Sequence, residues 1–317
     1  MTKVIFDTDP GIDDAMALLL LARAPGMEIA GVTSSFGNGT IETTTRNLLY
    51  LCQLFGIDAP VAEGAAGPLA GEAGAPVVHV HGIDGLGDIG IPEVPRTALH
   101  EKTADAFIVD MVHRFPHRIT LIAVARLTNL ALALRRDPAI AGLVRQVIVM
   151  GGAFGFNGHH GNITPAAETN IHGDPLAADE VLGASWPVTM VGLDVTQETI
   201  MPAGMVDRIG RHGGAEGRFV HDIARFYLDF HMKTEGMDAM FTHDSSAVAY
   251  LMDPSLFVTR RGPIRVVTEG IAVGQTIQSP DTRKATPPAW QGRPSQTICT
   301  GVDAPRLLDL YYRTVTA

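Results

Sequence analysis

The chain has 317 residues, 46% hydrophobic and 18% charged, an ordinary globular composition long enough to bury a large core without covalent staples. Its formal net charge of -10 speaks against a nucleic-acid backbone as partner, because phosphate binding favours Lys and Arg, and is compatible with a small neutral ligand. Cys52 and Cys299 stand far apart in apolar stretches, so no disulfide framework is expected and a reducing compartment fits.

The N-terminus turns acidic at Asp7 before any long apolar run, unlike a signal peptide. The longest apolar run, Ala15 to Ala22, is too short to span a bilayer. A cytoplasmic protein with no membrane partner is expected.

Short β-branched runs alternate with helical segments, which predicts an α/β fold with an open, largely parallel central sheet flanked by helices. Val4 to Asp7 reads as a buried strand and Asp13 to Ala24 as a helix stopped by Pro25-Gly26. Glu28 to Ser35 is the next strand, and Thr40 to Phe55 an amphipathic helix closed by Gly56. Ile119 to Ala125, Gln146 to Met150 and Val188 to Leu193 are further apolar strands. Two Gly-rich stretches, 64–92 and 151–165, read as long loops, of the kind that often carry function. The segment 203–235 is helical, with Phe219, Ile223, Phe226 and Phe230 on one face. Leu256 to Val267 reads as a hairpin and Asp303 to Thr314 as a closing helix. No repeat or linker divides the chain, so a single domain over 1–317 is expected.

The chemistry concentrates first in Asp7-Thr8-Asp9-Pro10-Gly11-Ile12-Asp13-Asp14, four carboxylates in eight residues where a strand becomes a helix. Pro10 and Gly11 shape the turn, the glycine by admitting positive φ. Helix capping explains one or two of these aspartates. It does not explain four together, because neighbouring carboxylates repel, whereas a hard cation such as Ca²⁺ or Mg²⁺ relieves the repulsion.

This segment resembles the N-terminal signature of the nucleoside hydrolases, the inosine–uridine-preferring group. The similarity continues in order through Asn38, His81-Gly82-Ile83-Asp84-Gly85-Leu86-Gly87, Leu127-Thr128-Asn129 and Val149-Met150-Gly151-Gly152. It then takes in Gly161-Asn162, Glu168-Thr169-Asn170, Asp174-Pro175 and His243-Asp244.

The resemblance implies a Ca²⁺-dependent N-ribohydrolase that splits small ribonucleosides into base and ribose, working as a homodimer or homotetramer. It places the ion on Asp9, Asp14, Asp244 and the Thr128 carbonyl. Asp13, Asn38 and Asn170 would bind ribose hydroxyls, Asn162 and Glu168 the 5′-hydroxyl, and Met150 would pack under the sugar. His243 would face the leaving base, with His231 a second contact and His81 a lid residue. Asp7 would orient a neighbouring group. A cation-acidified water, with Asp9 as general base, suits the cleavage of a bond that leaves positive charge on the sugar.

Some residues also have plain structural readings. His243 could merely cap the following helix, Tyr227 could be core, and His79, His159 and His160 could be solvated. Two departures stand out: Ala125-Arg126 replaces the usual Gly-Pro, and Thr169 the usual aromatic. Arg126 could disturb the metal site or point into the pocket. Thr169 suggests a roomier pocket unless Phe154 or Phe156 fills the space. The rival readings are a haloacid-dehalogenase-type phosphatase, from Asp7-x-Asp9 after a strand, and a ribonucleoside-binding homologue without catalysis.

Overall fold

The computed structural model describes residues 1–92, 94–284 and 287–317. In chain order the first half runs β1 (Thr2–Thr8), α1 (Ile12–Arg23), β2 (Met27–Ser34), α2 (Ile41–Leu54), β3 (Val61–Ala62), α3 (Val78–His81), α4 (Ala104–Arg114), β4 (Ile119–Ala123), α5 (Thr128–Arg136) and β5 (Gln146–Met150). The second half runs α6 (Thr169–Gly173), α7 (Pro175–Gly183), β6 (Val188–Val191), α8 (Leu193–Thr196), β7 (Ile200–Pro202), α9 (Ala203–His212), α10 (Gly214–Glu235), β8 (Ala239–Phe241), α11 (His243–Met252), β9 (Phe257–Gly262), β10 (Ile264–Val266), β11 (Thr276–Gln278), β12 (Gln296–Val302) and α12 (Ala304–Val315).

Among the described residues the main sheet has eight strands in the order β3-β2-β1-β4-β5-β6-β12-β9. All its pairings are parallel except β12 with β9. Strands covered on both faces must be apolar throughout, and Val4 to Phe6 and Ile119 to Ala123 are fully buried runs of this kind. One core lies under α1, α2, α10 and α11 on one face, and a second under α4, α5 and α7 on the other. Helix α1 is buried from Ala15 to Leu21, because it lies between the sheet and a further layer of helices.

The chain lays β2 and β3 on one side of β1, then returns to place β4 on the other. That reversal opens a crevice above the carboxyl ends of β1 and β4, where open parallel sheets bind ligands. The Asp7–Asp14 segment leaves β1 at this crevice and Arg126 leaves β4 beside it.

Two expectations are corrected and a third is refined. Leu256 to Val267 is not a hairpin: β9 pairs with β12, and β10 pairs with β11. Pro263, which has no N–H to continue a ladder, marks the crossing from one sheet to the other. The segment 203–235 is helical as expected, in two helices that meet at Gly213, where a Cβ would meet the Gly217 Cα at 2.9 Å. Stretch 64–92 is not all loop, for it contains α3. Periodicity alone did not mark α4, α5 and α7. Among the described residues no helix is long and apolar enough to cross a membrane. Both cysteines are free and buried.

Candidate active site

A cavity of about 190 Å³ opens above the β1–β4 crevice. It is lined by Asp13, Asn38, His81, Met150, Asn162, Glu168, Asn170, His231, His243 and Asp244, residues drawn from most of the chain's length. Asp9, Asp14 and Thr128 are buried and not among the lining residues.

Asp14 takes up the free amides at the start of α1. One of its oxygens accepts from the Thr8 hydroxyl at 2.5 Å and the Asp9 N–H at 3.2 Å. The other accepts from the Gly11 N–H and the Asn38 side-chain amide, both at 2.9 Å. Capping therefore accounts for Asp14 in part, and for none of the rest. Asp9 Oδ2 accepts from the Asn38 backbone N–H at 2.7 Å and from Arg126 Nη1. Asp9 Oδ1 and Asp13 Oδ1 are buried with no hydrogen-bond partner. Burial raises the pKa of Asp9, Asp13, Asp14 and Asp244, and mutual repulsion adds to it for Asp9, Asp13 and Asp244. The positive φ expected of Gly11 is not found, for its φ is -104°. It is required for close approach, since a Cβ there would meet the His81 ring at 2.7 Å and the Asn38 amide at 2.8 Å.

The far wall is aromatic. His81 Nδ1 accepts from the Ile12 N–H at 3.2 Å, and its ring stacks on Tyr227 at 5.9 Å. Tyr227 is buried as expected of a core residue, yet it also lines the cavity. His231 Nδ1 bonds the Tyr227 carbonyl at 2.9 Å, which makes Nδ1 the protonated nitrogen of the neutral ring. His243 does not cap α11 with its side chain, for its Nδ1 meets the Thr196 hydroxyl at 2.8 Å. Burial pulls His81 and His243 down to about 3, so both rings are neutral near pH 7. His79 is not merely solvated: it lies at the cavity beside Phe230. His159 bonds Glu198 at 2.5 Å.

Glu168 caps α6, accepting from the Asn170, Ile171 and Gly152 N–H groups at 2.8–3.0 Å. The Thr169 N–H and hydroxyl both donate to Asn162 Oδ1 at 3.0 Å. Thr169 is thus a polar brace for Asn162. Phe154 and Phe156 do not fill its place, because neither lines the cavity and their N–H groups bond Asp194.

Beneath the floor, Asp7 Oδ1 accepts from the Thr33 hydroxyl at 2.5 Å and the Asn129 amide at 2.7 Å. Burial raises Asp7 to about 7. Through Asn129 it steadies the turn that carries Thr128, whose hydroxyl bonds Asp174 at 2.7 Å. Sequence reasoning missed two supports. Asp194 anchors the 151–165 loop, and Asn47 ties the Pro10 carbonyl to that of Asp84 at 3.1 and 2.9 Å. Asp194 had a usable signal, its place just beyond β6 at the carboxyl edge of the sheet; Asn47, inside a helix, had none.

The residues present fit a metal ion. Ligand atoms of Asp13, Asp14 and Asp244 lie within 4.8 Å of one another, and the unpartnered oxygens of Asp9 and Asp13 lack the compensation that buried carboxylates need. An all-oxygen donor set suits a hard cation. The trio contains Asp13, expected to bind ribose, and omits Asp9, expected to be a ligand, whose Oδ2 is held by Arg126 and whose Oδ1 has no partner.

Residues 4–309 match the family model described as inosine-uridine preferring nucleoside hydrolase. Uridine nucleosidase 1 of Arabidopsis thaliana is 39% identical over 291 residues, covering 92% of this chain and 84% of its own. The structure of a plant nucleoside hydrolase superposes with a TM-score of 0.95 at 35% identity, covering 100% of this chain and 99% of its own. A purine-preferring ribonucleoside hydrolase from Gardnerella vaginalis superposes at 0.90 with 31% identity, covering 99% and 98%. These matches leave no room for the phosphatase reading: the chain belongs to the inosine–uridine-preferring nucleoside hydrolases, hydrolases that act on the N-glycosyl bond of ribonucleosides.

Proposed function

We propose that this chain, acting as one domain over 1–317, hydrolyses ribonucleosides to free base and ribose in a Ca²⁺-dependent reaction. The observation that carries this reading is the pair of buried, unpartnered oxygens, Asp9 Oδ1 and Asp13 Oδ1, below a cavity walled by side-chain amides and imidazoles. Asp9, Asp14, Asp244 and the Thr128 carbonyl would hold the ion, with Asp13 beside them. When bound, the cation lowers the pKa of a water in its shell.

Asp9 Oδ1 would face the ion with one lone pair and accept a proton from the attacking water with the other, since Oδ2 already accepts two hydrogen bonds. The carboxylates of the floor balance the positive charge that develops on the ribosyl ring as the bond opens. Asp13, Asn38 and Asn170 hold ribose hydroxyls, Asn162 and Glu168 the 5′-hydroxyl, and Met150 packs under the sugar. His243 meets the departing base, where its neutral ring can donate an N–H hydrogen bond to the negative charge that builds there. Direct attack by water inverts the anomeric carbon and forms no covalent sugar intermediate.

A nucleoside panel assayed for ribose release tests the reading. Release with Ca²⁺ and its loss with a chelator are expected. Nucleoside that stays intact with Ca²⁺ present would make the chain a binding protein without catalysis, and release unchanged by chelator would remove the metal.

The brace on Asn162 yields a separate expectation. With Oδ1 held by Thr169, the Asn162 amide N–H₂ is left for the substrate. Thr169→Val deletes one hydrogen bond, a change of about 0.5–1.5 kcal/mol, so KM for nucleosides should rise by about 2–10-fold while kcat stays within about twofold. Thr169→Ser should restore KM. Equal kinetics for all three proteins would show that the brace does not position Asn162 for substrate.

A further inference from the structure

Arg126 follows β4 and runs beneath the acidic floor, only 6% exposed. Its Nη1 donates to Asp9 Oδ2 and lies 3.4 Å from Asn170 Oδ1. The backbone makes room for it. A Cβ on Gly173 would lie 2.6 Å from Arg126 Cγ and 2.7 Å from Nε. A Cβ on Gly37, whose φ is +152°, would overlap both the guanidinium and the Asp9 carboxylate. A solvated arginine needs no such seat. This one lies in a prepared slot with its charge against an aspartate.

We infer that Arg126 is a resident cation of the floor. It fixes Asp9 with a single free oxygen, Oδ1, and weakens the floor's affinity for a divalent ion. The inference rests on the proposed metal dependence. A guanidinium cannot be deprotonated in a protein, so its charge is present whether or not an ion is bound. It satisfies part of the negative charge that would otherwise draw the ion, and it repels the ion through a poorly screened interior. The same Asp9 oxygen also accepts from the Asn38 N–H, so losing Arg126 removes a charge while one tether of Asp9 remains. Arg126 thus acts on the ion through its charge, and on Asp9 and Asn170 through hydrogen bonds.

Calcium titration calorimetry on chelator-treated protein, at fixed pH and ionic strength, tests this. Arg126→Gln keeps a hydrogen-bond donor and removes the charge; Arg126→Lys keeps the charge. Removing one like charge close to a bound cation is worth at least about tenfold in affinity at the effective dielectric of a protein. Arg126→Gln should bind Ca²⁺ at least about tenfold more tightly than the wild type, and Arg126→Lys should stay near the wild type. Equal or weaker binding by Arg126→Gln overturns the inference, as does calcium binding to neither protein.

If the variants do not fold, a wild-type crystal soaked in Ca²⁺ decides it. Arg126 should remain on Asp9 Oδ2 while Oδ1 alone faces the ion; an Arg126 withdrawn from Asp9, with both oxygens on the ion, overturns it. Wild-type protein that binds Ca²⁺ yet cleaves no nucleoside sinks the proposed function and leaves this measurement intact.

Discussion

Replacing Asp9 by asparagine should lower kcat for nucleoside hydrolysis by at least about 100-fold, the lower bound for losing a general base. Asparagine can still offer an oxygen to the Asn38 N–H and to Arg126, so the backbone around the floor should hold. What disappears is the basic lone pair at Oδ1 and one negative charge of the floor. Metal affinity should fall as well, which calorimetry separates from the rate by measuring turnover at saturating Ca²⁺. A variant that keeps more than about a tenth of the wild-type kcat under those conditions would take Asp9 out of the proton transfer. The base role would then pass to Asp13, whose Oδ1 is equally unpartnered.

His243→Ala should cost about 10²–10³-fold on nucleosides and little on a ribosyl substrate with an activated nitrophenol leaving group, within the range that acid–base assistance supplies. The structure favours His243 over His231 on tautomer grounds. His231 spends its Nδ1 proton on the Tyr227 carbonyl, so its neutral ring offers only a lone pair at Nε2. His243 has the Thr196 hydroxyl at Nδ1, which can donate to that nitrogen and leave Nε2–H as a donor. Burial keeps His243 neutral before substrate enters, so its contribution grows only as charge builds on the base. Losses of equal size on nucleosides and on the nitrophenol substrate would show that it does not serve the leaving group, and His231→Ala would become the variant to examine.

Much of this protein was legible without coordinates because the signals are local. Val4 to Phe6 and Ile119 to Ala123 are short, β-branched-rich and buried on both faces, as a covered parallel strand requires. Thr40 caps α2, and Asp303 caps α12, because a short polar side chain satisfies free amides within three residues of itself. Four aspartates beside a strand end imply a charge to be compensated wherever the rest of the chain lies.

The partners of those groups were another matter. Periodicity reports that a residue is buried or paired, not what it meets. Leu256 to Val267 therefore looked like one hairpin while β9 and β10 belong to different sheets. Thr169 looked like a missing aromatic and is a brace on Asn162. Asp13 and Asp9 each keep one unpartnered oxygen, but Asp13 lines the cavity while Asp9 lies below it with its other oxygen on Arg126. Arg126 lies 117 residues from Asp9, and His81 lies 69 residues from the Ile12 amide it accepts from. Contacts at such separations arise only when the return of the chain from β3 to β4 sets the ends of β1 and β4 side by side. The composition of the site was thus determined by the sequence itself, because each residue type carries its chemistry with it. Which carboxylate oxygen is free, and which already faces a positive charge, was decided by the packing of distant segments around one crevice.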